Sequence, residues 1–137
     1  MKFGGTSVAS GERLAHVASL VAAHPGPVAI VVSALGGATD GLLAMGRRAE
    51  LGDLDGAWAE LDALRERHQA AAPGPDAFGV IEPMLDDLAD LLHGVSLLRE
   101  QTSRSRALLA SFGERLCAPL AAAWLRASGR REGLLRL

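Results

Sequence analysis

A single cysteine, Cys117, stands in 137 residues, which excludes an internal disulfide framework and fits a reducing compartment. Aromatic residues make up only 4%, with no tyrosine, so stacking platforms for nucleic-acid bases are not expected. A charge excess is also lacking. Against 16 acidic side chains stand 14 basic ones, for a net charge of -2, and no basic surplus points to nucleic acid or to an anionic membrane. The apolar run Val28 to Val32 is too short to cross a bilayer. The opening Met1-Lys2-Phe3-Gly4-Gly5-Thr6-Ser7 has no apolar h-region, so no signal peptide is expected. These absences predict a cytoplasmic protein with neither a nucleic-acid nor a membrane partner. What is there, 49% hydrophobic and 22% charged residues, is an ordinary globular balance at a length that suits one core.

Along the chain, Lys2-Phe3 reads as the end of a strand, and Gly4-Gly5 as a turn with the hydroxyls of Thr6 and Ser7 beside it. A helix follows, with Ser10 as its N-cap, Glu12 in the first turn, and Leu14, Val17, Ala18 and Val21 as its apolar face. His24-Pro25-Gly26-Pro27 ends it. Val28-Ala29-Ile30-Val31-Val32-Ser33 is the clearest strand, and its continuous β-branched run predicts burial on both faces, as in a parallel sheet covered by helices. Gly36-Gly37 breaks it, and Thr39 or Asp40 is expected to cap a short helix carrying Leu42, Leu43 and Met45. Gly52 to Gly56 reads as a turn, Trp58 to about His68 as a helix, Ala70 to Phe78 as a loop, and Val80 to Leu98 as a helix that Gly94 bends or ends. A last helical stripe runs from Ser103 to Ala127, with a break or kink expected near Gly113 and Pro119 and with Gly129 as its C′ residue. The pattern of strand, helix, strand and then mostly helix opens a layered α/β fold. Two strands make a thin sheet for so many helices, so the chain reads as part of a larger domain.

Three segments can carry chemistry. In Lys2-Phe3-Gly4-Gly5-Thr6-Ser7, a glycine pair between strand and helix can turn N–H groups towards phosphate oxygens, and the lysine can neutralise charge during phosphoryl transfer. The segment is neither a Walker A loop nor a dinucleotide fingerprint, and a plain strand-to-helix turn is the commoner use of such a pair. In Ser33-Ala34-Leu35-Gly36-Gly37-Ala38-Thr39-Asp40, a buried strand delivers a serine to the edge of the sheet where α/β proteins bind ligands. Thr39 there is a natural contact for a small anion, or simply a cap. In Gly113-Glu114-Arg115-Leu116, Glu114 sits off the face defined by Phe112 and Leu116 and can take an ammonium, although a solvated Glu–Arg pair is the commoner case. His16, His24, His68 and His93 show no metal-ligand spacing and read as surface or packing residues. Cys117 reads as a small buried hydrophobe.

Taken in order, four segments resemble the aspartokinase family: Lys2 to Ala9, Val31 to Asp40, His93-Gly94-Val95 with Leu97-Leu98, and Ser111-Phe112-Gly113-Glu114-Arg115-Leu116. The resemblance reaches to about Gly129. It implies an amino-acid-kinase fold, here a partial three-layer αβα sandwich, helix-rich with a small parallel sheet. It implies transfer of the γ-phosphoryl group of ATP to the side-chain carboxylate of L-aspartate, on the route to lysine, threonine and methionine. By that resemblance Lys2 is catalytic, Lys2, Phe3, Gly4 and Gly5 lie against the ATP phosphates, Thr39 and Glu114 hold the aspartate, and Ser33 lines its pocket. Magnesium is expected with ATP, its ligands lying outside this chain, and a homo-oligomer is expected for the full-length enzyme. The sequence departs from the family in three places. Only Met1 precedes the lysine of the first strand, Cys117 replaces a usual serine, and the tail Arg130 to Leu137 does not resemble the family's next segment. Residues 1–137 therefore read as the N-terminal part of a catalytic domain, one incomplete domain expected to be inactive alone. Two rivals are a non-catalytic helical interaction module derived from the kinase fold, and a kinase of the same fold acting on another small carboxylate or carbamate.

Overall fold

The computed structural model describes residues 1–4 and 9–129. Residues 5–8, within the first segment read above, and the tail from Arg130 to Leu137 lie outside the described residues. The elements are β1 (Lys2–Phe3), α1 (Gly11–Ala22), β2 (Val31–Val32), α2 (Ala38–Glu50), α3 (Leu54–Ala71), α4 (Pro75–Leu98) and α5 (Ser103–Ala127). Among the described residues β1 and β2 form one two-stranded parallel sheet, Lys2 opposite Val31 and Phe3 opposite Val32. The N–H groups of Val31 and Ser33 donate to Met1 O and Phe3 O at 2.8 and 3.1 Å. The fold is α/β, helix-rich around a small parallel sheet, as expected.

Helix α1 follows its sequence signals closely. The Ser10 side chain accepts from the Arg13 N–H, and Leu14, Val17, Ala18 and Val21 are all buried. The β-branched run does not meet its expectation of burial on both faces. Val32 is 9% exposed but Val31 is 54% exposed, and only Val31–Val32 is strand. β-propensity fits a side chain to a pleated surface, whereas a ladder needs a partner. Among the described residues β2 has a single short partner, and its outer face has no helix upon it.

Several boundaries also move. Helix α2 begins at Ala38 with Gly37 as N-cap, so neither Thr39 nor Asp40 caps it. Asp53 caps α3, accepting from the Gly56 N–H at 2.9 Å, so the expected turn from Gly52 to Gly56 is already helical from Leu54. The expected loop from Ala70 to Phe78 shrinks to Ala72–Gly74, because Pro75 opens α4 at the position where a missing N–H costs nothing. Helix α4 passes through Gly94 and ends at Arg99, which takes a left-handed conformation with φ 57°. Helix α5 runs unbroken through Gly113 and Pro119. The tertiary contacts hold it there, since α5 packs on α1, α2, α4 and β2, and Leu109, Phe112, Leu116 and Leu120 are buried along it. Its length and apolarity would also suit a bilayer, but in this fold it is the central core helix. The end of α3 is tied to it by the Trp124 indole N–H, which donates to Ala71 O at 2.8 Å and satisfies a terminal carbonyl.

His68 is the one buried polar side chain among the described residues. Its Nδ1 lies 2.8 Å from Leu64 O, so that nitrogen carries the proton, and its Nε2 is left buried without a partner. Burial pushes its pKa below the usual histidine value, against the pull of the Leu64 carbonyl. It is a packing residue, as one of the sequence readings held.

Candidate functional site

Beyond Val32 the chain leaves the end of β2 through Ser33, Ala34 and Leu35 and turns at Gly36-Gly37 into α2. Gly37 has φ 79°, a backbone conformation that a side chain disfavours, and its use here lets α2 start immediately. An open cleft of about 500 Å³ lies at this corner, lined by Ser33, Gly36, Gly37, Thr39, Asp40 and Glu114, with Ala9 at its edge. Glu114 comes from α5, far away in sequence. It reaches the cleft because Gly113 lies against the chain leaving β2: a Cβ on Gly113 would come within 2.7 Å of the Ala34 Cβ. A larger residue at position 113 would hold α5, and with it Glu114, away from the corner.

The chemistry of the cleft is two-sided. Asp40 and Glu114 are exposed carboxylates, and no lysine or arginine lines the cleft. Arg115 does not neutralise Glu114, because its guanidinium lies over the Phe112 ring at 4.4 Å, and no ion pair to Glu114 forms among the described residues. Glu114 therefore remains available to a ligand cation. At the other side, the first turn of α2 has no side-chain cap. Ala38 donates to Leu35 O and Gly41 to Gly37 O, and the N–H groups of Thr39 and Asp40 have no acceptor among the described residues. Uncapped N–H groups at a positive helix end, with the hydroxyls of Ser33 and Thr39 beside them, favour an anion. A small zwitterion can thus place its ammonium on Glu114 and a carboxylate at the start of α2.

The structure brings Ser33, Thr39 and Glu114 together and does not bring the β1 residues into the same lining. Lys2 is exposed, opposite Val31 in the neighbouring strand, and thus two residues, about 7 Å, short of Ser33 along the sheet. Phe3 packs partly against the core, and Gly4 is exposed. Gly5 is outside the described residues. No three His, Cys, Asp or Glu side chains gather as a metal cluster among the described residues. Cys117 is buried, and burial with the Glu114 charge pushes its thiol pKa up to about 12, which makes it an inert packing group. Sequence reasoning missed two neighbours of the site. Asp40 reads in the sequence only as a cap, and Arg67, whose Nη1 donates to Gly36 O at 3.1 Å, comes from a helix with no sequence signal linking it to the turn.

The chain matches the amino acid kinase family over residues 1–133. It is 40% identical over 134 residues to aspartokinase 1, chloroplastic, of Arabidopsis thaliana, covering 94% of this chain and 23% of that protein. It is 39% identical over 137 residues to aspartokinase 2, chloroplastic, of the same plant, covering 96% and 25%. Among solved structures it is similar to E. coli aspartokinase III in complex with lysine and aspartate (T-state), with a TM-score of 0.80 at 28% identity, over 95% of this chain and 29% of that one. Against the same enzyme with aspartate and ADP (R-state) the TM-score is 0.78 at 29% identity, over 91% and 28%. The chain spans about a quarter of the length of the curated relatives it matches.

Proposed function

Since this chain belongs to the amino acid kinase family, we propose that it carries the aspartate-binding side of an aspartate kinase, which transfers the γ-phosphoryl group of ATP to the side-chain carboxylate of L-aspartate. The observation that carries the reading is the convergence of Ser33 from the segment leaving β2, Thr39 from α2 and Glu114 from α5 on one cleft at the end of β2. Glu114 takes the substrate ammonium. The hydroxyls of Ser33 and Thr39 and the N–H groups opening α2 take a carboxylate. These contacts fix the orientation of the other carboxylate, and phosphoryl transfer depends on positioning and charge neutralisation. Lys2, on the neighbouring strand, supplies charge to the transferring group, and Lys2 to Gly4 lie along the ATP phosphates. The complexes with aspartate and with ADP described for E. coli aspartokinase III support this reading. Magnesium accompanies the nucleotide, with ligands beyond the described residues. The enzyme is an oligomer of amino-acid biosynthesis, serving lysine, threonine and methionine, in the cytoplasm.

The test is steady-state kinetics on an enzyme carrying this sequence, with the acyl phosphate trapped as its hydroxamate. Glu114→Gln raises the KM for aspartate, and Lys2→Met lowers kcat. If Lys2→Met raises only the KM for ATP, Lys2 binds the nucleotide without a catalytic role. If wild-type enzyme forms no hydroxamate with aspartate but does so with another small carboxylate, the substrate assignment is wrong.

A further inference from the structure

The Gly36-Gly37 turn has no side chain with which to hold itself, and α2 starts on Gly37 without a side-chain cap. Two neighbours enclose it. A Cβ on Gly36 would come within 3.0 Å of the Ala9 Cβ, and one on Gly37 would come within 2.2 Å of Arg67 Nη1 and 3.1 Å of its Cζ. The Arg67 guanidinium thus lies on the Gly37 α-carbon while it donates to Gly36 O at 3.1 Å. Its backbone is well anchored. Leu64, His68 and Ala71 on the inner side of α3 are buried, and α3 packs closely on α2, the helix that the turn begins. No carboxylate pairs with Arg67 among the described residues, so its hydrogen bond in this structure goes to the turn.

We propose that Arg67 is a positioning residue for the substrate cleft: it fixes the Gly36-Gly37 turn so that the N–H groups opening α2 point at the bound carboxylate. Arg67 is absent from the cleft lining and acts through the Gly36 carbonyl. The inference rests on the proposed aspartate site for its functional meaning, whereas the tether itself can be measured without any substrate.

The experiment uses the full chain as wild type, Arg67→Met and Arg67→Lys, with two readouts. In amide hydrogen exchange, Arg67→Met speeds exchange at Ala38 and Gly41 about 5-fold, the worth of one hydrogen bond, while Leu61 and Leu64 in α3 are unchanged. In titrations with L-aspartate, Arg67→Met weakens binding about 5-fold, with the unfolding midpoint unchanged. That loss is the same in low and in ~0.3 M salt, as expected of a positional effect and not of a screened attraction. Arg67→Lys recovers part of both effects. Exchange at Ala38 and Gly41 within about 2-fold of wild type in Arg67→Met overturns the proposal, as does acceleration of every helix together, which would mark a general structural role. Wild-type chain that binds no aspartate refutes the proposed function, and the exchange data then decide the role of Arg67 alone.

Discussion

Replacing Gly113 by alanine sets two effects of known size against each other. Gly113 sits inside α5, where alanine is favoured over glycine by about 0.8–1 kcal/mol. On propensity alone the variant would be more stable. The added Cβ, however, would lie 2.7 Å from the Ala34 Cβ and 3.6 Å from Leu42 Cδ1. Carbon contacts settle at about 3.5–4.0 Å, so α5 and the segment leaving β2 must separate by about 1 Å. The Ala34 Cβ is fixed to the backbone and cannot swing aside. Overpacking of this kind costs about 1–3 kcal/mol, so the expected net loss is about 0–2 kcal/mol. Urea unfolding measures it. The companion Ala34→Gly removes the opposing methyl, so the double variant Gly113→Ala/Ala34→Gly recovers about 1 kcal/mol relative to additivity, as touching residues do. The separation also carries Glu114 away from Ser33, so aspartate binding weakens in Gly113→Ala. A Gly113→Ala chain that is more stable than wild type by the full propensity gain, with no coupling to Ala34, would refute the close packing that builds the cleft.

Three further outcomes are expected. His68 is buried neutral and its folded pKa is depressed, so the unfolded chain binds the proton first. Its contribution is complete above the unfolded pKa of about 6.5 and is lost as pH falls, by at most about 1.4 kcal/mol per pH unit. Urea midpoints at pH 5 to 8 show this slope in wild type and a flatter one in His68→Phe. Cys117, with its thiol pushed up to about 12, resists iodoacetamide in the folded chain at pH 8 and reacts fully in denaturant; rapid labelling of the native chain would contradict its burial. The Thr102 hydroxyl accepts from the Ser105 N–H at 3.0 Å, and the Ser105 hydroxyl in return accepts from the Thr102 N–H. Loss of that capping box in Thr102→Ala costs about 1 kcal/mol in thermal unfolding, and an unchanged midpoint would show that packing alone starts α5.

Local signals in the sequence were legible where one residue type has one physical use. Ser10 caps α1, most of each helix's apolar stripe is buried although Leu43 in α2 and Leu108 in α5 are exposed, and Gly129 takes φ 87° after α5. Boundaries failed where a neighbour decides. Proline and glycine mark turns in isolation, yet Pro75 opens a helix and Gly113 and Pro119 sit within one, because the contacts of α5 outweigh local preference. The buried-strand expectation failed at Val31 because β-branching reports propensity and not the presence of a partner. At the site, the strand end and glycine turn point to Ser33 and Thr39, periodicity puts Glu114 only off the apolar face, and the family resemblance joins the three in one pocket. Their meeting depends on Gly113 touching Ala34, a long-range contact with no local signature. Arg67 was invisible for the same reason, as its acceptor is a backbone oxygen 31 positions away.

In the proposed site, Glu114 holds the substrate ammonium in the cleft at the end of β2. Calorimetric titration of the chain with L-aspartate and with succinate, which lacks the ammonium, tests it most directly. Wild type is expected to favour aspartate over succinate, and Glu114→Gln to lose at least about 5-fold of aspartate affinity, about 1 kcal/mol for a partly solvated charge pair, with succinate unaffected or improved. Aspartate binding to Glu114→Gln within about 2-fold of wild type, or equal binding of aspartate and succinate by wild type, would contradict the account.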